Sequence, residues 1–106
     1  MLVRKIWEEG EKAGPINKLL VKREETETIA LGYVQLESGN STKVDAHDDE
    51  EEIYFILKGR AILMIGDEKT EIGPGMVAYV PRNMKHNMTC ISEENLEYLY
   101  FANWPK

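Results

Sequence analysis

The stretch that decides the fold is GNSTKVDAHDDEEEIYFILKG, Gly39 to Gly59. Asp45 and His47 stand two residues apart, and the acids Asp48 to Glu52 then run directly into an apolar segment, Ile53 to Leu57. Residues i and i+2 of an extended chain share a side, so Asp45 and His47 are expected on one face of a strand. Glu52 starts the next strand and shares a face with Tyr54 and Ile56. Asp48 to Glu51 reads as a solvated acidic loop. Ile53, Phe55 and Leu57 then face the other way, so both faces are apolar and the outer one needs cover, from an N-terminal strand or a second subunit.

A second stretch, GMVAYVPRNMKHNMTC from Gly75 to Cys90, repeats this grammar. Met76 to Val80 is a strand that Pro81 ends. His86 opens another, sharing a face with Met84, Met88 and Cys90. The rest of the chain has period 2 almost everywhere. Strands are predicted over Ile16 to Val21, Ile29 to Leu36, Ala61 to Ile65, Lys69 to Ile72, His86 to Ile91 and Leu96 to Phe101. Gly66-Asp67 marks a hairpin turn and Glu24 to Glu27 a polar one. No stretch of helical spacing, internal repeat or linker interrupts them. The expectation is an all-β sandwich or barrel in a single domain, residues 1–106.

Composition excludes several classes. Net charge is −6, from 19 acidic and 13 basic residues, without the basic stripe that neutralises phosphates, so no nucleic-acid partner is expected. No apolar run approaches the ~20 residues of a membrane helix. Met1 to Glu9 is charged, unlike a secretory leader, and the one cysteine, Cys90, has no internal disulfide partner. A cytoplasmic location is the default expectation.

The chemistry lies in the faces. If the strands carrying His47, Glu52 and His86 line one interior, their polar groups converge among apolar walls. A buried carboxylate there is costly without a partner, and a divalent cation fits. Two imidazoles and one carboxylate with open positions form the facial triad of non-haem iron. Manganese, nickel, zinc or cobalt suits the same ligands. Tyr54, Met88 and Cys90 are candidates for the pocket lining, with Cys90 read as a small buried hydrophobe. Tyr79, Tyr98 and Tyr100 read as core or interface residues.

The two stretches resemble the paired motifs of the cupin superfamily. The first motif is Gly, five residues, His, one residue, His, three or four residues, Glu, six residues, Gly. Gly39, His47, Glu52 and Gly59 match it, with Asp45 at the first His. The second is Gly, five residues, Pro, one residue, Gly, two residues, His, three residues, Asn. Gly75, Pro81 and His86 match, with Asn83 replacing the glycine and Cys90 the asparagine. Asn tolerates the left-handed turn conformation that such a glycine serves.

The resemblance implies a double-stranded antiparallel jelly-roll barrel with motifs at 39–59 and 75–90, one divalent metal ion per chain on His47, Glu52 and His86, and a homodimer. Asp45 would be a fourth ligand, a hydrogen-bonding group behind the ligands, or a surface residue. Function divides between a metal-dependent enzyme on a small oxygen-bearing molecule (dioxygenase, decarboxylase or isomerase type) and a non-catalytic small-molecule binder or sensor, with or without metal.

Overall fold

The computed structural model describes residues 1–104. Among them run β1 (Glu11–Lys12), β2 (Asn17–Val21), β3 (Ile29–Leu36), β4 (Glu51–Lys58), β5 (Ala61–Ile65), β6 (Glu68–Ile72), β7 (Val77–Val80), β8 (His86–Cys90) and β9 (Leu96–Asn103). A single 3-10 turn, Arg23–Glu25, occupies the polar turn, and no α-helix occurs among the described residues. No helix there is long and apolar enough to cross a membrane. All pairings are antiparallel. One sheet has the order β1-β2-β3-β9-β4-β7 and the other β6-β5-β8. This is the all-β, two-sheet build that the alternation predicts and the jelly roll that the resemblance implies.

The pleat decides what lies between the sheets. Glu52, Tyr54 and Ile56 of β4 are buried, whereas Ile53 and Phe55 face outward at 47% and 37% exposure. Their cross-strand partners follow suit: Tyr100 and Tyr98 of β9 stand opposite Tyr54 and Ile56. From the small sheet Leu63 and Met88, paired in register, complete the core. Leu36, Ile56, Val80, Met88 and Leu96 are fully enclosed, each contributing about 1.5–3 kcal/mol by leaving water.

Residues 41–50 differ from the expected strand. Residues 41–45 follow the free edge of β8, bridged at Ser41 to Thr89 and Asp45 to His86 and bonded to Met88 through the Thr42 N–H and hydroxyl, and residues 46–50 then cross to β4. Asp48 and Asp49 lie exposed, but Glu50 is partly covered beside Arg23 and Glu51 already belongs to β4, so the solvated acidic loop is shorter than expected. The two-residue β1 is an addition that the alternation does not reveal.

The N-terminal segment reaches the large sheet's outer face, but over Glu97 rather than over Ile53 and Phe55. Glu97 is buried on β9. It accepts hydrogen bonds from the Trp7 indole at 2.6 Å and from the Tyr33 hydroxyl, with the Lys58 ammonium 3.8 Å away. Burial raises its pKa, but these partners outweigh that and hold it below the usual 4.5. A carboxylate with a depressed folded pKa stabilises fully above its unfolded pKa, and the contribution is lost as pH falls through the folded value. Glu97→Gln is therefore expected to be about 1–3 kcal/mol less stable near neutrality. That gap should close as pH falls from the usual carboxylate range through the depressed folded value. Urea unfolding across this range checks it, and a gap independent of pH would refute the account.

Candidate metal centre

Three elements meet at one end of the barrel. Glu52 lies near the start of β4 in the large sheet, His86 at the start of β8 in the small sheet, and His47 on the crossing segment between them. The Oε1 of Glu52 lies 3.6 Å from Nε2 of His47 and 3.5 Å from Nε2 of His86. The imidazole centroids are 5.3 Å apart, tilted by 49°.

Backbone contacts fix this arrangement. The Asp45 N–H donates to the His86 carbonyl at 3.1 Å, and the His86 N–H to the Asp45 carbonyl at 2.9 Å. Asn83 adopts the left-handed conformation, φ 65°, and its N–H donates to the His47 carbonyl at 2.7 Å. The asparagine in the glycine's place thus keeps the turn and ties the two motifs together. This clip has no local signal in the sequence beyond the tolerance of Asn for such a turn.

The side chains are prepared as ligands. The Nδ1 of His86 lies 3.0 Å from the Met84 carbonyl. A carbonyl only accepts, so Nδ1 carries the proton and the Nε2 lone pair is directed towards Glu52. Burial is the main cause that pushes the Glu52 pKa up from 4.5 to about 7. The charges of Glu50 and Asp45 add to this, against His47 and the Tyr54 hydroxyl. A buried carboxylate with two acids nearby is the environment that a cation relieves. One ligand atom from each of His47, Glu52 and His86 falls within 4.8 Å of the others. Two imidazoles and a carboxylate at that spacing can hold one first-row divalent ion.

The other candidates distribute differently. The exposed Asp45 turns its side chain back, Oδ1 accepting from the Ala46 N–H at 2.9 Å, so it is not brought into the cluster. Tyr54 is. Its hydroxyl lies 3.5 Å from Glu52 Oε1, and its ring meets His86 edge-on at 6.2 Å. Met88 is buried two residues beyond His86. Cys90 is buried at the far end of β8, where Sγ contacts Ser92 and Glu94, so it lines the core rather than the ligand cluster. Met84 is exposed, because the turn at Asn83 precedes the strand. Tyr98 packs on Tyr54 at 5.2 Å and extends the aromatic wall behind Glu52.

Comparison with known proteins agrees with this architecture. A relative in Streptomyces coelicolor, itself uncharacterised, is 33% identical over 66 residues. The match covers 62% of this chain and 62% of that relative, so the chain spans about three-fifths of its length. A predicted oxalate decarboxylase from Thermotoga maritima superposes with a TM-score of 0.78 at 22% identity, covering 84% of this chain and 79% of that one. The polyketide cyclase RemF from Streptomyces resistomycificus gives 0.79 at 21%, covering 97% and 79%. At such identities the two structures speak for the fold alone. The cupin domain model matches residues 32–101, which hold both motifs, the ligand cluster and most of both sheets, and the chain belongs to the cupin family.

Proposed function

We propose that this cupin is a metal-dependent enzyme acting on a small oxygen-bearing molecule, with His47, Glu52 and His86 holding one divalent ion per chain. The observation that carries this reading is the placement of three ligating atoms within 4.8 Å, few enough to leave coordination positions for water or substrate. A bound ion would supply Lewis-acid polarisation of a substrate oxygen, and dioxygen chemistry if it were iron. The chain itself orients the two imidazoles by backbone clips and places the Tyr54 hydroxyl beside Glu52. Tyr54 and Tyr98 keep water from the rear of the cluster. The Thermotoga neighbour is named as a predicted decarboxylase and the Streptomyces resistomycificus one as a cyclase, so the shared scaffold is compatible with catalysis.

One observation favours the alternative, a non-catalytic binder or sensor. Among the described residues, the buried charged groups are Glu52, His86 and Glu97. The first two are ligands and the third faces outward, so no separate buried acid or base stands ready.

The deciding experiment starts with protein purified without chelator or nickel resin, its metal content measured by mass spectrometry. The loaded protein is then offered carboxylates, diketones, phenols and sugars while oxygen uptake, carbon dioxide release and product NMR are followed. Metal-dependent turnover, lost on chelation and regained on reloading, is the expected result. Saturable binding without turnover would overturn the enzyme reading in favour of the binder, and metal-free protein that takes up no ion would overturn both metal readings.

We also propose that the protein works as a homodimer through the outer face of β4, β7 and β9. Ile53, Phe55, Val77, Tyr79 and Phe101 form an exposed apolar patch there. Two of the other sheet edges carry charge, Glu11 and Lys12 on β1 and Glu68, Lys69 and Glu71 on β6, and the β8 edge is covered by residues 41–45, whereas edge strand β7 offers Val77 and Tyr79. Such asymmetry marks the unprotected edge as an association surface. Phe55→Glu is expected to give monomer, because a charge in an apolar interface has no partner. Light scattering at micromolar concentration checks this, and a monomeric wild type would refute it.

A further inference from the structure

A cavity of about 500 Å³ opens away from the metal centre, at the other end of the barrel. Its walls come from Trp7, the β1–β2 hairpin, the last residues of β3 and the loop before β9. Glu97 stands in register with Gln35 on its wall, and Ala102 with Glu52 at the metal end. Five residues of strand separate the two, about 17 Å. The volume lies within the range of small-molecule sites.

Two features show a built wall rather than an incidental groove. The first is Glu97, a buried carboxylate that the metal centre does not use. Burying it on an outer sheet face is costly unless donors surround it, and its donors are the two aromatic residues that line the cavity, Trp7 and Tyr33. The rings are thereby held in place, yet Trp7 stays 59% exposed. Lys58 sits over the Trp7 ring and Lys18 over the Tyr33 ring, each 5.3 Å from the centroid.

The second feature is the polar lining. Gln35, Asn40 and Asn95 bring three amide residues to the lining, each side chain both donor and acceptor, while the Asn17 amide is hydrogen-bonded to the Tyr100 hydroxyl. Lys12 and Lys18 against Glu37 leave the wall a single net positive charge, and Lys18 is engaged with Tyr33. A fixed aromatic surface suits a face of C–H groups, while paired amides suit neighbouring hydroxyls. A weak net field gives an anion little advantage over a neutral molecule.

We propose that this cavity binds a neutral polyhydroxylated ligand, a mono- or disaccharide, at a site separate from the metal centre. The test uses ¹⁵N-labelled full-length protein after chelation, so that occupancy of the metal centre plays no part. Glucose, galactose, mannose, N-acetylglucosamine, maltose and cellobiose are titrated separately, with inorganic phosphate as the anionic probe. Trp7 and Trp104 are the two tryptophans, and Trp104→Phe assigns the Trp7 indole signal. At least one sugar is expected to shift that signal and the side-chain amides of Asn40 and Asn95 saturably, with Kd on the order of a millimolar. Phosphate is expected to leave them unmoved. The Asn40→Ala/Asn95→Ala double variant should weaken binding by about tenfold or more, the loss of one to two hydrogen bonds. Gln35→Ala, at an exposed strand position, should weaken it too and serves as the second variant should the double one fold poorly. No response to any of the six sugars, a saturable response to phosphate instead, or wild-type affinity in both variants would overturn the proposal.

Discussion

His86→Ala is expected to leave the protein without stoichiometric metal, lowering affinity by about 100-fold or more, beyond the 10–100-fold typical of losing a supporting hydrogen bond. His86 is the most constrained of the three ligands. It is buried, its Nδ1 is committed to the Met84 carbonyl and its backbone is bridged on both sides of the residue to Asp45. Removing the ring leaves Glu52 and the half-exposed His47, two ligands with a gap between them. The loss should also be visible in stability, because an ion that binds only the folded state stabilises it by about 2.7 kcal/mol at a hundredfold excess over Kd. For a chain of 106 residues that is about 10 °C or more in Tm. Wild type should thus lose on chelation what His86→Ala has already lost, and chelator should barely move the variant. Asp45→Ala provides the contrast. Its carboxylate caps the Ala46 N–H, so metal stoichiometry should persist with affinity changed by less than about tenfold. Metal analysis of both variants checks the pair. If His86→Ala kept one ion per chain, the site would lie elsewhere. If Asp45→Ala lost its ion along with His86→Ala, Asp45 would be a ligand after all.

The same residues explain why the site was so legible in the sequence. Glu52 stands at the second position of β4 and His86 at the first of β8, and the alternation that sends Tyr54 and Met88 inward assigns their faces from period 2 alone. His47 came from motif spacing, and its strand did not form. The conformation of residues 41–50 depends on which edge of β8 is free, a property of sheet order that no local pattern carries. Asp45 shows the cost of that error. On a strand it would share a face with His47, whereas at the point where the chain leaves β8 its side chain is free to turn back on its own backbone. Glu97 was illegible for a different reason. It occupies an outward position on β9, where an acid normally meets water, and Trp7 reaches it across 90 positions of sequence. The strands themselves were read closely because apolar alternation and Gly or Pro punctuation agree along most of the chain. The two-residue β1, Glu11–Lys12, stands between Gly10 and Gly14-Pro15 but has no apolar residue to alternate.

Gly59→Ala is expected to be among the most damaging single-methyl additions in the chain, while Gly75→Ala, its counterpart at the start of the second motif, should cost little. Both glycines are left-handed, φ +79° and +83°, so both variants carry the backbone strain of about 1 kcal/mol that an L side chain meets there. Space separates them. A Cβ at Gly75 has nothing within 4 Å. At Gly59 it would lie 2.6 Å from the Asn95 carbonyl oxygen and 2.8 Å from the Leu96 Cα. Those are backbone atoms at the entry to β9, the strand paired with both β3 and β4, and no rotamer change can move them aside. The irregularity between Ile56 and Lys58 in the β4–β9 pairing swings the chain directly over this point, which is why a glycine closes the first motif. Relief requires β4 and β9 to part locally, so the expected cost is about 3 kcal/mol or more, strain and overpacking together. That is a large share of the 5–15 kcal/mol typical of a whole domain. Urea denaturation of the two variants beside wild type measures the difference. Similar losses for both would mean that left-handed strain alone governs these positions and that the contact with Asn95 and Leu96 relaxes freely. A selective loss at Gly59, with metal stoichiometry intact in the folded fraction, would place its role in joining the two long strands, a full strand length from the ion.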